Sequence, residues 1–285
     1  MLCRMLNDAQ VRRIHAASLV ILERVGIGVP HADMLGRLAD AGAQVDREAR
    51  RARLPAELVE RSVAQAGKQF TLYGRDPART AAFGQGGRNY NSIAGEAYWV
   101  DQPGGDRRFA TLADVQTATR FADALDRIRI AGAMSDPHER PAAVRCVEVC
   151  AAQLRNTTKP ITFWYHDRAS ARFINEILIA LRGSEQRAAA QPPCYPFLEP
   201  ISPLRFAHHG VDLLYETARL NLPVPVGPMA QMGLSAPMGL AGTLAQENAE
   251  ILAGIVITQM IRPGMPVCYG GICHAFDMRT TQMIF

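Results

Sequence analysis

From Thr111 onward the chain alternates short apolar runs with segments of helical periodicity, and this alternation restricts the fold more than any other feature. It is typical of parallel strands joined by helical crossovers, because a parallel connection needs a dozen or more residues. The apolar runs are nearly continuous, as in strands covered on both faces. The predicted strands are Ile128 to Ala131, Pro160 to Tyr165, Tyr195 to Leu198, Pro223 to Gly227 and Pro266 to Tyr269, with helices near 140–155, 168–182, 210–220 and 243–261.

This spacing fits either a doubly wound sheet or part of an eight-stranded barrel. The chain ends just after Met283 and Ile284 without a closing helix, which predicts a chain that stops within its fold. We therefore predict the α/β class, with a partial (β/α)8 TIM barrel of about five βα units. Two unpaired apolar edges would then need cover from another segment or a partner.

The segment before Thr111 has a different pattern. Apolar residues repeat at helical spacing from Asp8, a predicted N-cap, to Gly26, and shorter helices are predicted at 34–38 and 55–64. Short strands at 70–73, 81–83, 89–91 and 97–100 then predict a small antiparallel sheet, in which the glycine-rich turn at 84–87 forms a hairpin. A capping box from Thr111 to Asp114 opens the next helix. The predicted domains are an α+β cap region at 1–109 and an incomplete (β/α) barrel at 110–285.

Composition excludes several classes of protein. The 285 residues are 48% apolar and 20% charged, which is ordinary for a soluble globular chain. The formal charge of +4 comes from scattered arginines, with only Lys68 and Lys159 as lysines, so no nucleic-acid partner is predicted. The six cysteines form no CxxC pair and predict reduced thiols in the cytoplasm. No signal peptide is evident, and no run approaches the roughly 20 apolar residues of a membrane span.

Two stretches have sequences that composition does not explain. They are Asn156-Thr-Thr-Lys-Pro160, and a run from Glu199-Pro-Ile-Ser-Pro-Leu204 through Gly227-Pro-Met-Ala-Gln-Met-Gly233 to Leu240–Gly254. With Phe70–Asp76 and Tyr269–Thr280, they resemble the trimethylamine methyltransferase family over essentially the whole chain. The resemblance implies an eight-stranded barrel whose carboxyl-end face receives a methylated amine, either trimethylamine or a quaternary amine such as glycine betaine. It also implies that the methyl group passes from nitrogen to the Co(I) of a corrinoid carried by a separate partner protein, with no cofactor bound tightly by this chain.

Family members are longer than this chain, so the resemblance implies that later strands are missing here. The alternative function is therefore an inactive truncated fragment that only binds an amine or a partner. An unrelated barrel lyase or aldolase would need a Schiff-base lysine at a strand end, and Lys159 instead precedes its strand. No membrane partner is predicted, and homo-oligomer formation stays open.

Residues at the carboxyl ends of barrel strands face the site. The predicted substrate-binding residues are Trp164, Tyr165, His166, Glu199 and Tyr269. A quaternary ammonium departs as a neutral amine without a general acid, so it needs mainly aromatic faces, each worth about 0.5–2 kcal/mol. Alternation along the strands turns about half of such residues away from the pocket. Glu199 is predicted as a counter-ion to the ammonium or as a hydrogen-bonding brace for the next loop. The competing interpretations are core packing for Trp164, a polar strand cap for His166 and a brace only for Glu199.

The segment after the fourth predicted strand contains methionines and small residues and has no charged side chain. Met229, Gln231 and Met232 are its predicted corrinoid-facing residues, since methionine-rich surfaces suit a flat apolar ring. A tightly packed loop without ligand contact is the alternative. The possible zinc ligands His166, His208, His209, His274, Cys268 and Cys273 follow no recognised spacing, so no metal is predicted, and no catalytic residue is assigned.

Overall fold

The computed structural model describes residues 5–284. Within them lie nine α-helices: α1 (Asp8–Arg24), α2 (Ala32–Asp40), α3 (Ala56–Gln65), α4 (Leu112–Ala124), α5 (Ala142–Asn156), α6 (Arg168–Arg182), α7 (Glu185–Ala190), α8 (His208–Thr217) and α9 (Leu240–Ile261). A 3-10 turn follows α8 at Ala218–Leu220. Among the described residues, no helix combines the length and the apolar character that a bilayer crossing requires.

The strands are short, and most have two to four residues. They are β1 (Ile27–Gly28), β2 (Gln44–Asp46), β3 (Arg51–Arg53), β4 (Phe70–Tyr73), β5 (Thr80–Phe83), β6 (Tyr90–Asn91), β7 (Tyr98–Val100), β8 (Arg107–Phe109), β9 (Ile128–Gly132), β10 (Ile161–Thr162), β11 (Pro200–Ile201), β12 (Arg205–Phe206), β13 (Val224–Val226), β14 (Gln231–Met232), β15 (Val267–Tyr269), β16 (His274–Asp277) and β17 (Gln282–Ile284).

The chain divides into two compact units. Unit one contains residues 5–66, Phe197–Val211 and 224–284 of the described chain, and unit two contains Gly67–Pro196 and Asp212–Pro223. Each unit is therefore assembled from segments that are distant in sequence.

Helix α9 forms the centre of unit one. It is buried on almost every side from Thr243 to Gln259, and α1, α2 and α3 pack against it. A helix with apolar residues all round is stable only in such an interior position. It connects β13 to β15, which pair in parallel with Val224 opposite Val267. Gly254 permits the close approach of α9 to β13, because a Cβ there would overlap the Val226 side chain.

The largest sheet of unit one has the strand order β11-β12-β1-β3-β2. Only β1 and β12 pair in parallel, with Gly28 opposite Arg205. Gly26 makes the turn from α1 into this sheet, with a φ of +71° and no room for a Cβ beside the Ala52 carbonyl. The sheet thus joins the end of the first helix to a segment almost 180 residues later.

Strand β9 is the centre of unit two. Both β6 and β10 pair with it in parallel, with Ile161 opposite Ala131 and Tyr90 opposite Ile128. Helix α5 makes the crossover from β9 to β10 and packs between α4 and α6. The remaining strands form two separate antiparallel hairpins, β4–β5 and β7–β8.

The predicted helices are confirmed with small changes of boundary. The capping box that opens α4 is present, since Thr111 Oγ1 accepts from the Asp114 amide at 3.3 Å and the Thr111 amide donates to the Asp114 carboxylate at 2.8 Å. The predicted N-cap of α1 is wrong by one residue, because Asn7 and not Asp8 caps it. Asn7 has the required reciprocal partner in Gln10, at 2.9 Å in both directions.

Several predicted strands need correction. The single small antiparallel sheet is wrong, because β6 pairs in parallel with β9 and the hairpins β4–β5 and β7–β8 do not join. The turn at 84–87 is not a hairpin turn, since β5 and β6 do not pair with each other. The predicted strand 160–165 is reduced to Ile161–Thr162, and segment 195–198 contributes one isolated bridge from Leu198 to Val226.

The mixed α/β class is confirmed. The described residues form several small sheets and no closed barrel, so the partial barrel stays a prediction. The boundary between cap and barrel at residue 109 also stays a prediction, while the compact units divide the chain at other positions.

Candidate functional site

In unit two, the carboxyl ends of β9 and β10 carry the best-connected polar group of the predicted site. Asp136 follows β9, and its Oδ2 accepts a hydrogen bond from Arg145 Nη1 of α5 at 2.8 Å. His166 follows β10, and its Nε2 lies 3.8 Å from Asp136 Oδ1. The two parallel strands therefore place an acid and an imidazole from different segments side by side.

The His166 ring also contacts helix α5. Its Nδ1 donates to the Ala142 carbonyl at 3.4 Å, and a hydrogen bond to the Cys146 thiol raises the pKa of His166 above the usual histidine value. Burial raises the pKa of Cys146, but the hydrogen bond with His166 opposes this effect and the pKa of the thiol lies below its usual value. The hydrogen bond therefore favours the charged form of the His166 imidazole.

We expect Cys146→Ala to lower the pKa of His166, because the substitution removes the largest cause of its rise. A raised histidine pKa stabilises the fold fully below the unfolded value, and this stabilisation is lost as pH rises through the folded value. The variant should therefore lose stability at acidic pH more than at pH 9. Proton NMR titration of the His166 ring measures the shift directly. Cys150→Ala, on the same helix, is the control, and an unchanged His166 titration in Cys146→Ala would contradict the assignment.

The aromatic residues after β10 differ in burial. Phe163 and Tyr165 are buried and stack on each other with ring centroids 4.9 Å apart, while Trp164 and His166 are half-buried. The Tyr165 hydroxyl contacts Cys194 Sγ at 3.3 Å, and burial raises its pKa well above the usual value. This arrangement matches the interior packing of an aromatic side chain.

Trp164 is held by its polar edge. Its Nε1 donates to the Gly95 carbonyl at 2.9 Å, and a Cβ at Gly95 would meet Trp164 Cδ1 at 3.3 Å. The indole nitrogen therefore has a hydrogen-bond partner, and the side chain is half-buried. Together with His166 and Asp136, Trp164 forms the candidate site of unit two.

Unit one contains the other predicted site residues. Tyr269 ends β15 with its side chain 60% exposed, and its hydroxyl donates to Asn248 Oδ1 at 3.0 Å. Partial desolvation, followed by the nearby Glu247 carboxyl group, raises the pKa of Tyr269 to about 12. Glu199 is exposed, and desolvation raises its pKa. Its carboxylate makes no hydrogen bond or ion pair with the described residues, so nothing in the structure supports a bracing role for it.

The predicted corrinoid-facing loop is strongly hydrogen-bonded. The Gln231 carbonyl accepts from the amides of Leu234, Ser235 and Ala236, each at 3.0 Å, and the Gln231 amide donates to Ser235 Oγ at 3.1 Å. Gln231 and Met232 form β14, which pairs with β16. The loop thus has a fixed conformation in which apolar side chains remain exposed, namely Met229 (40%), Leu234 (61%) and Met238 (63%).

Two buried carboxyl groups on α9 are not among the site residues predicted from the sequence. Glu250 is fully buried and accepts from Ser202 Oγ at 2.6 Å, the Leu204 amide at 2.8 Å and Gln246 Nε2 at 3.0 Å. Glu247 is 6% exposed and accepts a hydrogen bond from the Cys273 thiol. Burial raises the pKa of both carboxyl groups. Two acids three residues apart in an otherwise uncharged, mostly apolar helix were the signal that pointed to them.

Some motifs that carry the resemblance have structural roles. In Asn156-Thr-Thr-Lys-Pro160, Lys159 Nζ donates to the carbonyls of Ala122 and Leu125 at 2.9 and 2.8 Å, at the carboxyl end of α4. Thr157 Oγ1 donates to Asp123 Oδ1 at 2.6 Å. This motif therefore fixes the start of β10 to α4, a task that needs no ligand.

The described part of the chain has no group of three or more His, Cys, Asp or Glu side chains placed to share a metal ion. His166 and Cys146 lie in unit two, whereas His208, His274, Cys268 and Cys273 lie in unit one. The structure thus offers no ligand set for zinc within either unit's described residues.

A family model described as "Trimethylamine methyltransferase (MTTB)" matches residues 1–285. The chain is 30% identical over 280 residues to a glycine betaine methyltransferase of Desulfitobacterium hafniense (strain Y51). The matched region covers 98% of this chain and 58% of that relative. It is 27% identical over 273 residues to trimethylamine methyltransferase MttB of D. hafniense (strain DSM 10664 / DCB-2). This match covers 96% of the chain and 55% of that relative. It is also 27% identical over 296 residues to trimethylamine methyltransferase MttB of Methanosarcina thermophila. This match covers 96% of the chain and 58% of that relative. The chain spans little more than half the length of these relatives.

Proposed function

The chain belongs to the trimethylamine methyltransferase (MTTB) family, and on this premise we propose that it serves in removing a methyl group from a methylated amine. The observation that carries the proposal is the family match over residues 1–285. Relatives named for glycine betaine and for trimethylamine are similar at 30% and 27% identity. The substrate class is therefore a small amine with methyl groups on nitrogen, either quaternary or tertiary.

The chemistry asks little of the protein when the substrate is quaternary. A quaternary ammonium leaves as a neutral amine, so its methyl carbon is electrophilic without proton transfer to the leaving group. The protein has to exclude water, hold the cation and direct one methyl group outward. The half-buried Trp164 ring in unit two and the exposed Tyr269 ring in unit one are aromatic surfaces of the kind that hold such cations.

We assign the methyl acceptor to the Co(I) of a corrinoid on a separate protein, and this acceptor is a second substrate. Co(I) supplies the nucleophile that takes the methyl group. The loop after β13 suits contact with a flat apolar ring, because Met229, Leu234 and Met238 are exposed and the segment 227–246 contains no ionisable side chain. The hydrogen bonds around Gln231 fix the backbone turn at 231–236 that carries Leu234.

The proposal is tested by product detection. The chain is incubated with a reduced corrinoid protein and a panel of trimethylamine, glycine betaine and other methylated amines. We expect the demethylated product of at least one amine, dimethylamine or dimethylglycine, in an amount that depends on the corrinoid protein. Absence of product across the panel would contradict the enzymatic function.

A second function is binding of the amine or the partner protein without turnover. The match covers 55–58% of the similar relatives named above, so amine binding and turnover by this chain are measured separately. Saturable amine binding without any product would support this second function.

We also expect Trp164→Ala to lower kcat/KM for the preferred amine by about 2- to 30-fold, which corresponds to an aromatic contribution of about 0.5–2 kcal/mol. The chain offers a matched control, because its only other tryptophan is Trp99 on β7. Steady-state kinetics on both alanine variants make the comparison. An unchanged kcat/KM in Trp164→Ala, or an equal loss in Trp99→Ala, would remove Trp164 from the proposed substrate site.

A further inference from the structure

Unit one contains a cavity of about 440 Å³ between α1, α9 and the end of β15. Most of its wall is aliphatic, formed by Val11, Ile14, Leu244 and Ile251. Its volume lies within the range of natural small-ligand pockets. None of the sequence predictions pointed to this position, apart from Tyr269 at its edge.

One carboxylate lies in the wall of this cavity. Glu247 lines it and is only 6% exposed, and one carboxylate oxygen, Oε2, accepts from the Cys273 thiol. The other oxygen, Oε1, is buried without a hydrogen-bond partner and lies against Gly271, which also lines the cavity. A buried carboxylate that lacks a partner for one oxygen is costly, and a cation placed beside it offsets that cost.

The same cavity presents an aromatic face. Tyr269 lines it, and its hydroxyl is held by Asn248, whose Nδ2 donates to Ser18 Oγ of α1 at 2.8 Å. The phenol is therefore fixed at its polar end, which leaves the ring to contact a ligand. His15 completes the polar part of the wall, with its Nε2 engaged by Glu60 Oε1 at 2.7 Å.

We propose that this cavity binds a small alkylated ammonium ion, with Glu247 as its counter-charge and Tyr269 as its aromatic wall. A carboxylate disfavours anions, and a wall that is mostly aliphatic disfavours strongly hydrated inorganic cations. A cation whose charge is covered by methyl groups satisfies the carboxylate, the ring and the aliphatic side chains together. Identification of this ion with the methyl donor rests on the proposed function, whereas the binding chemistry does not.

The test measures binding of tetramethylammonium chloride to the whole chain by calorimetric titration at constant ionic strength. Tert-butanol serves as the uncharged ligand of similar shape. We expect saturable binding of tetramethylammonium and at least tenfold weaker binding of tert-butanol. Glu247→Gln keeps the side-chain shape and should weaken tetramethylammonium binding about tenfold or more, a change of about 1.4 kcal/mol. Glu23→Gln, on the exposed face of α1, should bind as the wild type does.

A second pair of variants keeps the test valid if Glu247→Gln does not fold. Val11 and Val20 lie on α1 with similar exposure, 49% and 46%, but only Val11 lines the cavity. Val11→Trp should fill the cavity and abolish binding, whereas Val20→Trp should not change it. Absence of tetramethylammonium binding by the wild type, or wild-type affinity in both Glu247→Gln and Val11→Trp, would overturn the proposal.

The two proposals fail in different ways. Intact, Glu247-dependent binding without a demethylated product would leave this site in place and contradict the enzymatic function. Demethylation with unchanged rate and amine affinity in Glu247→Gln would contradict this site and leave the function in place.

Discussion

Replacing Gly132 by alanine is expected to destabilise the chain by about 3 kcal/mol or more, at the upper end of overpacking costs. Gly132 ends β9, and a Cβ there would overlap the backbone carbonyl oxygens of Ser92 and Ile93. Backbone atoms cannot move aside as a flexible side chain can. The substitution therefore breaks the pairing of β6 with β9, where the Gly132 amide donates to Ser92 Oγ at 2.7 Å.

Urea unfolding followed by circular dichroism measures this loss. Gly36→Ala is the matched control, because Gly36 lies within α2 with no atom within 4 Å of its would-be Cβ. It should stabilise the chain by about 0.5–1 kcal/mol, since alanine is the better helix former. Gly132→Ala with wild-type stability would show that β6 and β9 do not approach as described.

A comparable loss is expected from Glu250→Ala. The substitution leaves the Ser202 hydroxyl, the Leu204 amide and Gln246 Nε2 without their acceptor in the interior of unit one. Each unsatisfied buried donor costs about 1–3 kcal/mol, so a total of about 3 kcal/mol or more is expected. The loss should appear as a lower urea midpoint.

Glu250→Gln separates hydrogen bonding from packing. Glutamine preserves the volume and one acceptor oxygen, so we expect a loss of about 1 kcal/mol. An alanine variant as stable as the glutamine variant would mean that the carboxyl group does not hold the segment around Ser202 to α9.

Local features of the sequence predicted the helices well. The capping box from Thr111 to Asp114 places its partners three residues apart, so the sequence alone shows both halves of the interaction. Helix α6 likewise ends at Gly183, whose φ of +82° is the left-handed conformation that glycine favours. The strand–helix–strand unit around α9 followed from the same kind of periodic signal.

The sheets were predicted less well because their pairings join distant segments. Strands β1 and β12 have two residues each, and two residues carry no periodicity. The parallel pairing of β6 with β9 depends on close backbone approach at Gly132, which only the folded chain reveals. The sequence could therefore suggest extended segments at 89–91 without identifying their partner.

For the candidate site, the sequence predicted which residues follow the strands. It did not predict which of their side chains are buried. Trp164 and His166 follow the carboxyl end of β10, as the spacing predicted, but the buried stacking of Tyr165 on Phe163 could not be predicted from the sequence. The alternation rule anticipates such a division without saying which residue turns inward. Glu247 had a sequence signal, an acid within a mostly apolar helix, whereas its neighbours Cys273 and Gly271 come from the segment after β15.

The most direct test of the central claim measures the oxidation and methylation state of the corrinoid cobalt. A corrinoid protein reduced to Co(I) is mixed with the 285-residue chain and either trimethylamine or glycine betaine, and the absorption spectrum is recorded through a single turnover. We predict loss of the Co(I) band and appearance of the methyl–Co(III) band only when chain and amine are both present. A Co(I) spectrum that stays unchanged with every methylated amine, despite a folded chain, would contradict the account.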